Sequence, residues 1–267
     1  MCGVFCHAIN AGADMTEARI GRHKAKMYDG ISELPVARFH VYNKFLLVDA
    51  GIGSDVSDLD AHLEKAIMYL RESNTKDAVQ ELENLRQNVF FITQNISPKH
   101  LSFAALLIEV DGVKCDDISE DGLKRTLQLI NDAPIEELTA LHDAVKKKIN
   151  DELVTFFPAL FDDPRVKEYH ENLRARTIAI LNGIIHGDSE KRADEIGKYT
   201  ERLMQANKPR KFDGSNGFEV QYEKQFEKMC LTISQNLHTD PHGYTVAQFY
   251  NAYEYIMELS KSLKKHG

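Results

Sequence analysis

The stretch from Ser97 to Val110, SPKHLSFAALLIEV, constrains the fold more than any other part of the sequence. From Leu101 to Ile108 every residue except Ser102 is apolar, so a helix built from this stretch has no face for water and must be enclosed by other elements. A buried strand is the alternative. Alanine and leucine favour a helix, and Ser97 followed by Pro98 is typical of a helix start. The sequence therefore predicts a central buried helix.

The composition is that of an ordinary folded protein. Of the 267 residues, 43% are hydrophobic and 28% are charged, which supplies a large core without the help of a metal or disulfide. The formal net charge of -8 argues against nonspecific nucleic-acid binding, which needs a basic face. No secretory signal is recognisable, and no apolar run reaches the ~20 residues that a membrane span needs. We expect a cytoplasmic protein that binds neither nucleic acid nor a membrane.

Apolar residues recur at helical spacing along most of the chain. The clearest pattern alternates spacings of four and three and comprises Ala78, Leu82, Leu85, Val89 and Ile92. The helix before it is predicted to have one apolar face, formed by Leu59, Leu63, Ile67 and Leu70. Only a short turn at Ser73 to Thr75 separates these two patterns, so they predict an antiparallel helical hairpin.

These patterns predict an all-α, or mainly α, fold with four regions. Residues 1–36 have little core of their own and form a short irregular N-terminal arm, and residues 37–206 form a multi-helix bundle body. Residues 207–217, NKPRKFDGSNG, have the composition of a linker. Residues 218–267 form a C-terminal helical hairpin module, whose second helix begins with a capping box of Thr245 and Gln248.

Cys2 is the most specific candidate for catalysis. Removal of Met1 would leave an N-terminal cysteine whose own amine can act as a base, as in glutamine amidotransferases with a cysteine nucleophile. That family also needs arginine- and glycine-rich loops in a strand-rich fold, which this sequence lacks. An incidental terminal cysteine is the favoured interpretation, and the amidotransferase remains an alternative.

The other cysteines and histidines do not form a metal motif. Cys2, Cys6, His7 and His23 include thiolate and imidazole ligands suited to zinc, but no second ligand pair follows at matching spacing. Cys115 and Cys230 lie in hydrophobic patterns and are predicted to be buried, inert thiols. We therefore predict no catalytic residues, no cofactor and no metal.

A resemblance to known proteins lies in the stretches FHVYNKFLLVDAGIGSDVSDLDAHLEKAIMYL, NLRQNVFFITQNISPKHLSFAALLIEVDG, and FEVQYEKQFEKMCLTISQNL with TVAQFYNAYEYI. These stretches resemble proteins encoded among the tail genes of phages and prophages of gut Bacteroidales. The layout of a helical body, a linker and a small helical module is similar to that of tail assembly chaperones. The resemblance covers most of residues 37–267, and residues 1–36 lie outside it.

The resemblance implies a non-enzymatic protein of the bacterial host cytoplasm that binds other phage tail proteins. The body, residues 37–206, would contact the tape measure protein, and residues 218 onward would contact the tail tube protein. A structural component retained in the phage particle is the alternative within the same setting. An oligomer of identical chains is also compatible with the sequence.

Aromatic residues of the C-terminal hairpin are the predicted partner-binding site. They occupy positions that cannot all face inward, and a two-helix module cannot enclose them alone. The predicted site comprises Phe226, Met229, Phe249, Tyr250, Tyr253 and Tyr255. The alternative, equally compatible with the sequence, is that the hairpin packs against residues 37–206 and covers these rings.

Overall fold

A computed structural model of the chain describes residues 15–161, 164–187, 190–206 and 208–265. It is 72% helical, with eleven helices and one four-stranded sheet in the described ranges, so the prediction of a mainly α fold is confirmed. The first half contains β1 Met15–Ile20, β2 His23–Tyr28, α1 Val36–Ile52, α2 Val56–Arg71, α3 Thr75–Gln94, α4 Pro98–Leu106, β3 Leu107–Val110 and β4 Val113–Lys114. The second half contains α5 Glu120–Gln128, α6 Ile135–Phe156, α7 Pro158–Phe161, α8 Pro164–His186, α9 Glu190–Ala206, α10 Phe218–Leu237 and α11 Val246–Lys265.

The chain divides into two compact units, and the division differs from the predicted domains. The described part of unit 1 comprises residues 15–46, 99–153 and 225–265, and that of unit 2 comprises residues 47–98, 154–161, 164–187, 190–206 and 208–224. The C-terminal hairpin is therefore not a separate module, because most of it belongs to unit 1. The predicted linker belongs to unit 2, where Phe212 is buried against Val48 and Ile52.

A small antiparallel sheet in unit 1 replaces much of the predicted irregular arm. The strands follow the order β1-β2-β3-β4, and β2 pairs with β3 although they are far apart in sequence. Along β2, His23, Ala25 and Met27 are buried, whereas Lys24 and Lys26 are exposed. This two-residue alternation is typical of a strand with one covered face. In the sequence, however, the two lysines make the stretch look like a solvent-exposed basic segment, so the strand was not predicted. Residues 1–14 lie outside the described part of the chain.

The central helix is buried as predicted but ends earlier. All residues from Leu101 to Leu107 are buried, while the helix itself ends at Leu106 and the chain continues directly as β3. Arg38, on α1, explains the change of conformation. Its buried guanidinium donates to the Ala105 and Leu107 carbonyls at 3.1 and 3.0 Å and also to the Cys115 carbonyl. These bonds satisfy carbonyls that a longer helix would otherwise have bonded internally.

Helix starts follow the predicted chemistry with one shift in register. Thr245 and Gln248 form the predicted capping box, with hydrogen bonds of 3.0 and 3.3 Å. Ser57 followed three residues later by Asp60 predicts a helix start at Ser57, whereas the structure caps α2 with Asp55 paired to Asp58.

The α10–α11 hairpin is attached to the segment before α1. The Val36 N–H donates to the Tyr244 carbonyl at 2.8 Å, and the Val246 N–H donates to the Leu34 carbonyl at 2.9 Å. Beneath these bonds lies a hydrophobic cluster of unit 1, formed by Val36, Cys230, Ile233, Phe249 and Ile256. The backbone bonds and the shared cluster explain why the hairpin belongs to unit 1.

Candidate protein-binding surfaces

The α2–α3 hairpin of unit 2 has a polar interior. His62 Nδ1 lies 2.6 Å from Glu81 Oε2, and both side chains are buried. His62 Nε2–H donates to the Ile52 carbonyl at 2.9 Å, and the Asn88 amide donates to the same carbonyl at 3.1 Å. Ile52 is the last residue of α1, so this polar interior caps the carboxyl end of α1.

Large apolar side chains lie on the outside of this hairpin. Leu63, Leu70 and Leu82 are 41%, 52% and 44% exposed, although the sequence pattern makes them the natural core positions of the hairpin. We define the α2–α3 face as the exposed residues Leu63, Ile67, Leu70, Val79, Leu82 and Val89. The predicted helices are present, but the apolar face of each points to solvent. An apolar surface of this kind is a candidate interaction site.

A second apolar surface lies at the carboxyl end of α8 in unit 2. We define the α8 patch as Ile178, Leu181, Ile184 and Ile185, of which Ile184 and Ile185 are 76% and 70% exposed. On its other side α8 contacts α9, where Arg176 donates from Nε to Thr200 Oγ1 at 2.9 Å. This patch is not among the sites that the sequence predicts. The sequence feature that could have indicated it is the apolar pair Ile184-Ile185, close to Gly187. This glycine ends the helix and has a φ of 78°.

Most residues of the predicted partner-binding site pack within unit 1. Phe249 is buried and stacks on Phe226, with ring centroids 5.7 Å apart, and Phe226 in turn stacks on His40 of α1. Phe226, Met229, Tyr250 and Tyr253 are partly buried against the hydrophobic cluster of unit 1. The burial of Phe249 corrects its assignment to a partner-binding surface. The physical reason is that α1 and the segment before it cover rings that two helices alone would leave open.

Of the six residues predicted to bind a partner, Tyr255 is the exposed one. It is 53% exposed, and Leu259, one helical turn further along α11, is 41% exposed. Residues four apart lie on the same side of a helix. We define this pair as the α11 patch, a third apolar surface, which belongs to unit 1.

A buried serine–histidine contact in unit 1 has the wrong orientation for nucleophilic catalysis. Ser102 Oγ donates to the Lys99 carbonyl at 2.7 Å and lies 3.1 Å from His142 Nε2. Because the hydroxyl hydrogen is used by the carbonyl, Nε2 carries the hydrogen and donates to Ser102 Oγ, so His142 cannot act as a base toward this hydroxyl. Both residues are fully buried, and burial lowers the pKa of His142 to about 4.

His142 lies among aromatic rings. Its imidazole meets the rings of Tyr42 and Phe103 edge to face, at centroid distances of 6.1 and 5.7 Å. Nδ1 of His142 has no hydrogen-bond partner among the described residues. A neutral imidazole without an acidic partner is consistent with a structural role in the core.

His23, a member of the metal site considered above, lies between two carboxylates. Its Nδ1 lies 2.6 Å from Asp111 Oδ2, and its Nε2 lies 2.6 Å from Asp132 Oδ1. The Arg22 guanidinium also lies 2.6 Å from Asp132 Oδ2. The hydrogen bonds raise the pKa of His23 and lower those of both aspartates. A raised pKa favours the imidazolium form, in which both ring nitrogens donate, and the ring joins the start of β2 to the β3–β4 turn and to the loop before α6. Cys2, Cys6 and His7 lie outside the described residues.

The described residues contain no cluster of metal-ligating side chains. Within the ranges that the structure describes, no group of three or more His, Cys, Asp or Glu side chains is arranged to hold a metal ion. Cys115 and Cys230 are buried free thiols, and burial raises the pKa of Cys230 to about 11. A thiol of raised pKa is a poor nucleophile at neutral pH.

Comparison of the chain with protein-family models, curated proteins and solved structures finds no match in any of the three. Among the described helices, none combines the length and apolar character that crossing a bilayer requires. The three apolar surfaces are candidate sites of protein interaction.

Proposed function

We propose that this chain is a non-enzymatic phage tail assembly protein, an adaptor chaperone that binds the tape measure and tail tube proteins. The observation that supports this proposal best is the α8 patch. Four large aliphatic side chains lie together at one helix end, and each is at least 48% exposed. A folded chain gains nothing from such exposure unless another surface covers it.

The chemistry of the α8 patch fits a helical partner. Ile178, Leu181 and Ile185 follow one another at spacings of three and four residues, which is the pattern that packs against the apolar stripe of a second helix. The patch lies in the region that the resemblance assigns to tape measure binding. We therefore place the tape measure contact on α8.

The α11 patch is our proposed contact for the tail tube protein. Tyr255 offers an aromatic ring for apolar contact and a hydroxyl for hydrogen bonding, a combination that is common in binding hot spots. It lies in unit 1, whereas the α8 patch lies in unit 2, so the two contacts use different parts of the fold.

Co-expression with the tape measure protein tests this function. Wild-type chain should keep the tape measure protein soluble, whereas Leu181→Glu/Ile185→Glu should not, because two carboxylates would then be buried at the contact. Ile135→Glu/Leu231→Glu is the matched control, since it makes the same chemical change at two exposed positions outside the three surfaces. Equal solubility with both double variants would contradict the α8 assignment.

Analysis of purified phage particles by mass spectrometry separates the chaperone from the structural component. An assembly chaperone should be absent from finished particles. Stoichiometric presence would identify a structural component instead, and glutaminase activity that is lost in Cys2→Ala would identify an enzyme.

A further inference from the structure

The α2–α3 face is separate from the surfaces assigned above, and the pairing of its helices determines what fits against it. The hydrogen bond between His62 and Glu81 shows which sides of the two helices meet. Leu63 and Leu82 each follow one of these residues, so each side chain is turned by about 100° from the helix contact. Because the helices are antiparallel, this rotation of about 100° places both side chains on the same side of the hairpin. The α2–α3 face is therefore one continuous surface.

The same contacts set the relative heights of residues on the two helices. Tyr69 packs against Ala78, and His62 bonds to Glu81 three residues further along α3. With a rise of about 1.5 Å per residue, Leu63 and Leu82 lie at the same level to within about one helical turn. Ile67 and Val79 form the next level in the same way. The face thus has two consecutive apolar levels, with one side chain from each helix.

The next level along the face is charged. Asp60 on α2 lies one turn before Leu63, and Arg86 on α3 lies one turn after Leu82. Both side chains are exposed, and neither forms an ion pair with another described residue. The face therefore presents an acid and a base side by side at equal height, next to two apolar levels.

We propose that this face binds a second copy of the same chain and forms a four-helix bundle. A two-fold axis parallel to the helices places α2 of each copy against α3 of the other. Asp60 then lies opposite Arg86 of the partner subunit, and Arg86 lies opposite the partner subunit's Asp60. At the apolar levels, Leu63 meets Leu82 of the partner subunit, and Ile67 meets Val79 of the partner subunit. The charged level and the two apolar levels are thereby each matched in chemical character.

Charge complementarity favours this axis over the other way of joining two copies of the face. A two-fold axis perpendicular to the helices would place α2 against α2 of the second copy in an antiparallel direction. Asp60 would then face the turn end of the second α2, and neither Asp60 nor Arg86 would meet an opposite charge. The parallel axis alone gives two ion pairs beside a closed apolar centre.

Sedimentation velocity of the full-length protein tests the proposal. Wild-type protein should sediment as a dimer. Asp60→Arg alone and Arg86→Asp alone should each weaken the dimer roughly tenfold or more, since each places two pairs of like charges across the axis. The double variant Asp60→Arg/Arg86→Asp restores opposite charges and should regain most of the wild-type affinity.

Two controls keep the test specific. Asp194→Arg reverses an exposed charge on α9 and should leave the dimer unchanged. Far-UV circular dichroism should be the same for all variants, because Asp60 and Arg86 are exposed. A monomeric wild-type protein, single reversals without effect, or a double variant as weak as the single ones would each overturn the proposal.

Discussion

The buried contact between His62 and Glu81, at 2.6 Å, lies beside two exposed leucines that each follow it by one residue. The α2–α3 hairpin is thus polar where its helices meet and apolar at Leu63 and Leu82 on its outer side. This is the reverse of an ordinary amphipathic hairpin, in which the apolar stripe is buried. The arrangement therefore depends on the pairing of its buried polar groups, of which Asn88 Oδ1 has no hydrogen-bond partner among the described residues.

Removal of one member of the buried pair should destabilise the protein strongly. In Glu81→Ala, His62 keeps its place in the interior without its carboxylate partner. We expect a loss of about 3 kcal/mol in the free energy of unfolding, measured by urea denaturation. Glu64→Ala, an exposed glutamate on α2, is the control and should change the free energy by no more than about 0.5 kcal/mol. Similar values for both variants would show that the pair does not stabilise the hairpin.

The central helix provides a second stability test. Leu106 is completely buried, so Leu106→Asp places an unpaired carboxylate in the core and should cost several kcal/mol, on the order of the whole stability of a domain. Val113→Asp introduces the same side chain in β4 at a position that is 51% exposed, and it should fold normally. A soluble Leu106→Asp variant that unfolds cooperatively would contradict the placement of this helix.

His142 should make the protein less stable in mild acid. Its pKa is about 4 in the folded state and about 6.5 in the unfolded state, so the unfolded chain binds more protons between these values. Stability should fall by about 3 kcal/mol from pH 6.5 to pH 4 through this residue alone. His142→Gln should flatten this dependence, whereas His186→Gln, at an exposed site, should not. An unchanged slope in His142→Gln would argue against a buried neutral imidazole.

His23 should have the opposite pH dependence. Because its pKa is raised in the folded state, its contribution is fully present below about pH 6.5 and is lost as the pH rises through the higher folded value. Asp111 and Asp132 have lowered pKa values, so their contribution is present above about pH 3.8 and is lost in stronger acid. The contact should therefore stabilise the sheet most between these limits.

An NMR titration of the His23 imidazole measures this directly. The pKa should lie above 6.5 in the wild type and should move toward 6.5 in Asp132→Asn, which removes one carboxylate. Asp117→Asn is the control, since Asp117 pairs with Arg125 away from His23. A wild-type pKa at or below 6.5 would contradict the raised pKa that the two carboxylates impose on His23.

Local rules predicted most helices, because their caps and periodicities depend on residues that are close in sequence. The Thr245–Gln248 capping box and the helical hairpin before Ser97 are examples. The β1–β2 hairpin is local but rich in charged residues, which hid its strand pattern, whereas the pairing of β2 with β3 depends on contacts between distant residues. The early end of α4 has the same cause, since its carbonyls are bonded by Arg38 on another helix.

The candidate surfaces were harder to predict than the helices. Periodicity identified Leu63 and Leu82 as members of apolar faces, but it cannot distinguish a face that is buried from one that is exposed. The burial of Phe249 depends on α1 and the segment before it, which lie about two hundred residues earlier in the chain. Contacts over such separations leave no local pattern in the sequence.

Isothermal titration calorimetry of the purified full-length protein against the tape measure protein tests the proposed function most directly. We expect saturable binding with a negative heat-capacity change, because apolar surface is buried at the α8 patch. Leu181→Glu/Ile185→Glu should reduce the affinity by about a hundredfold or more, and the control Ile135→Glu/Leu231→Glu, at exposed positions outside the three surfaces, should leave it within about threefold of the wild-type value. No binding by the wild type, or equal binding by the wild type and the α8 variant, would contradict the account.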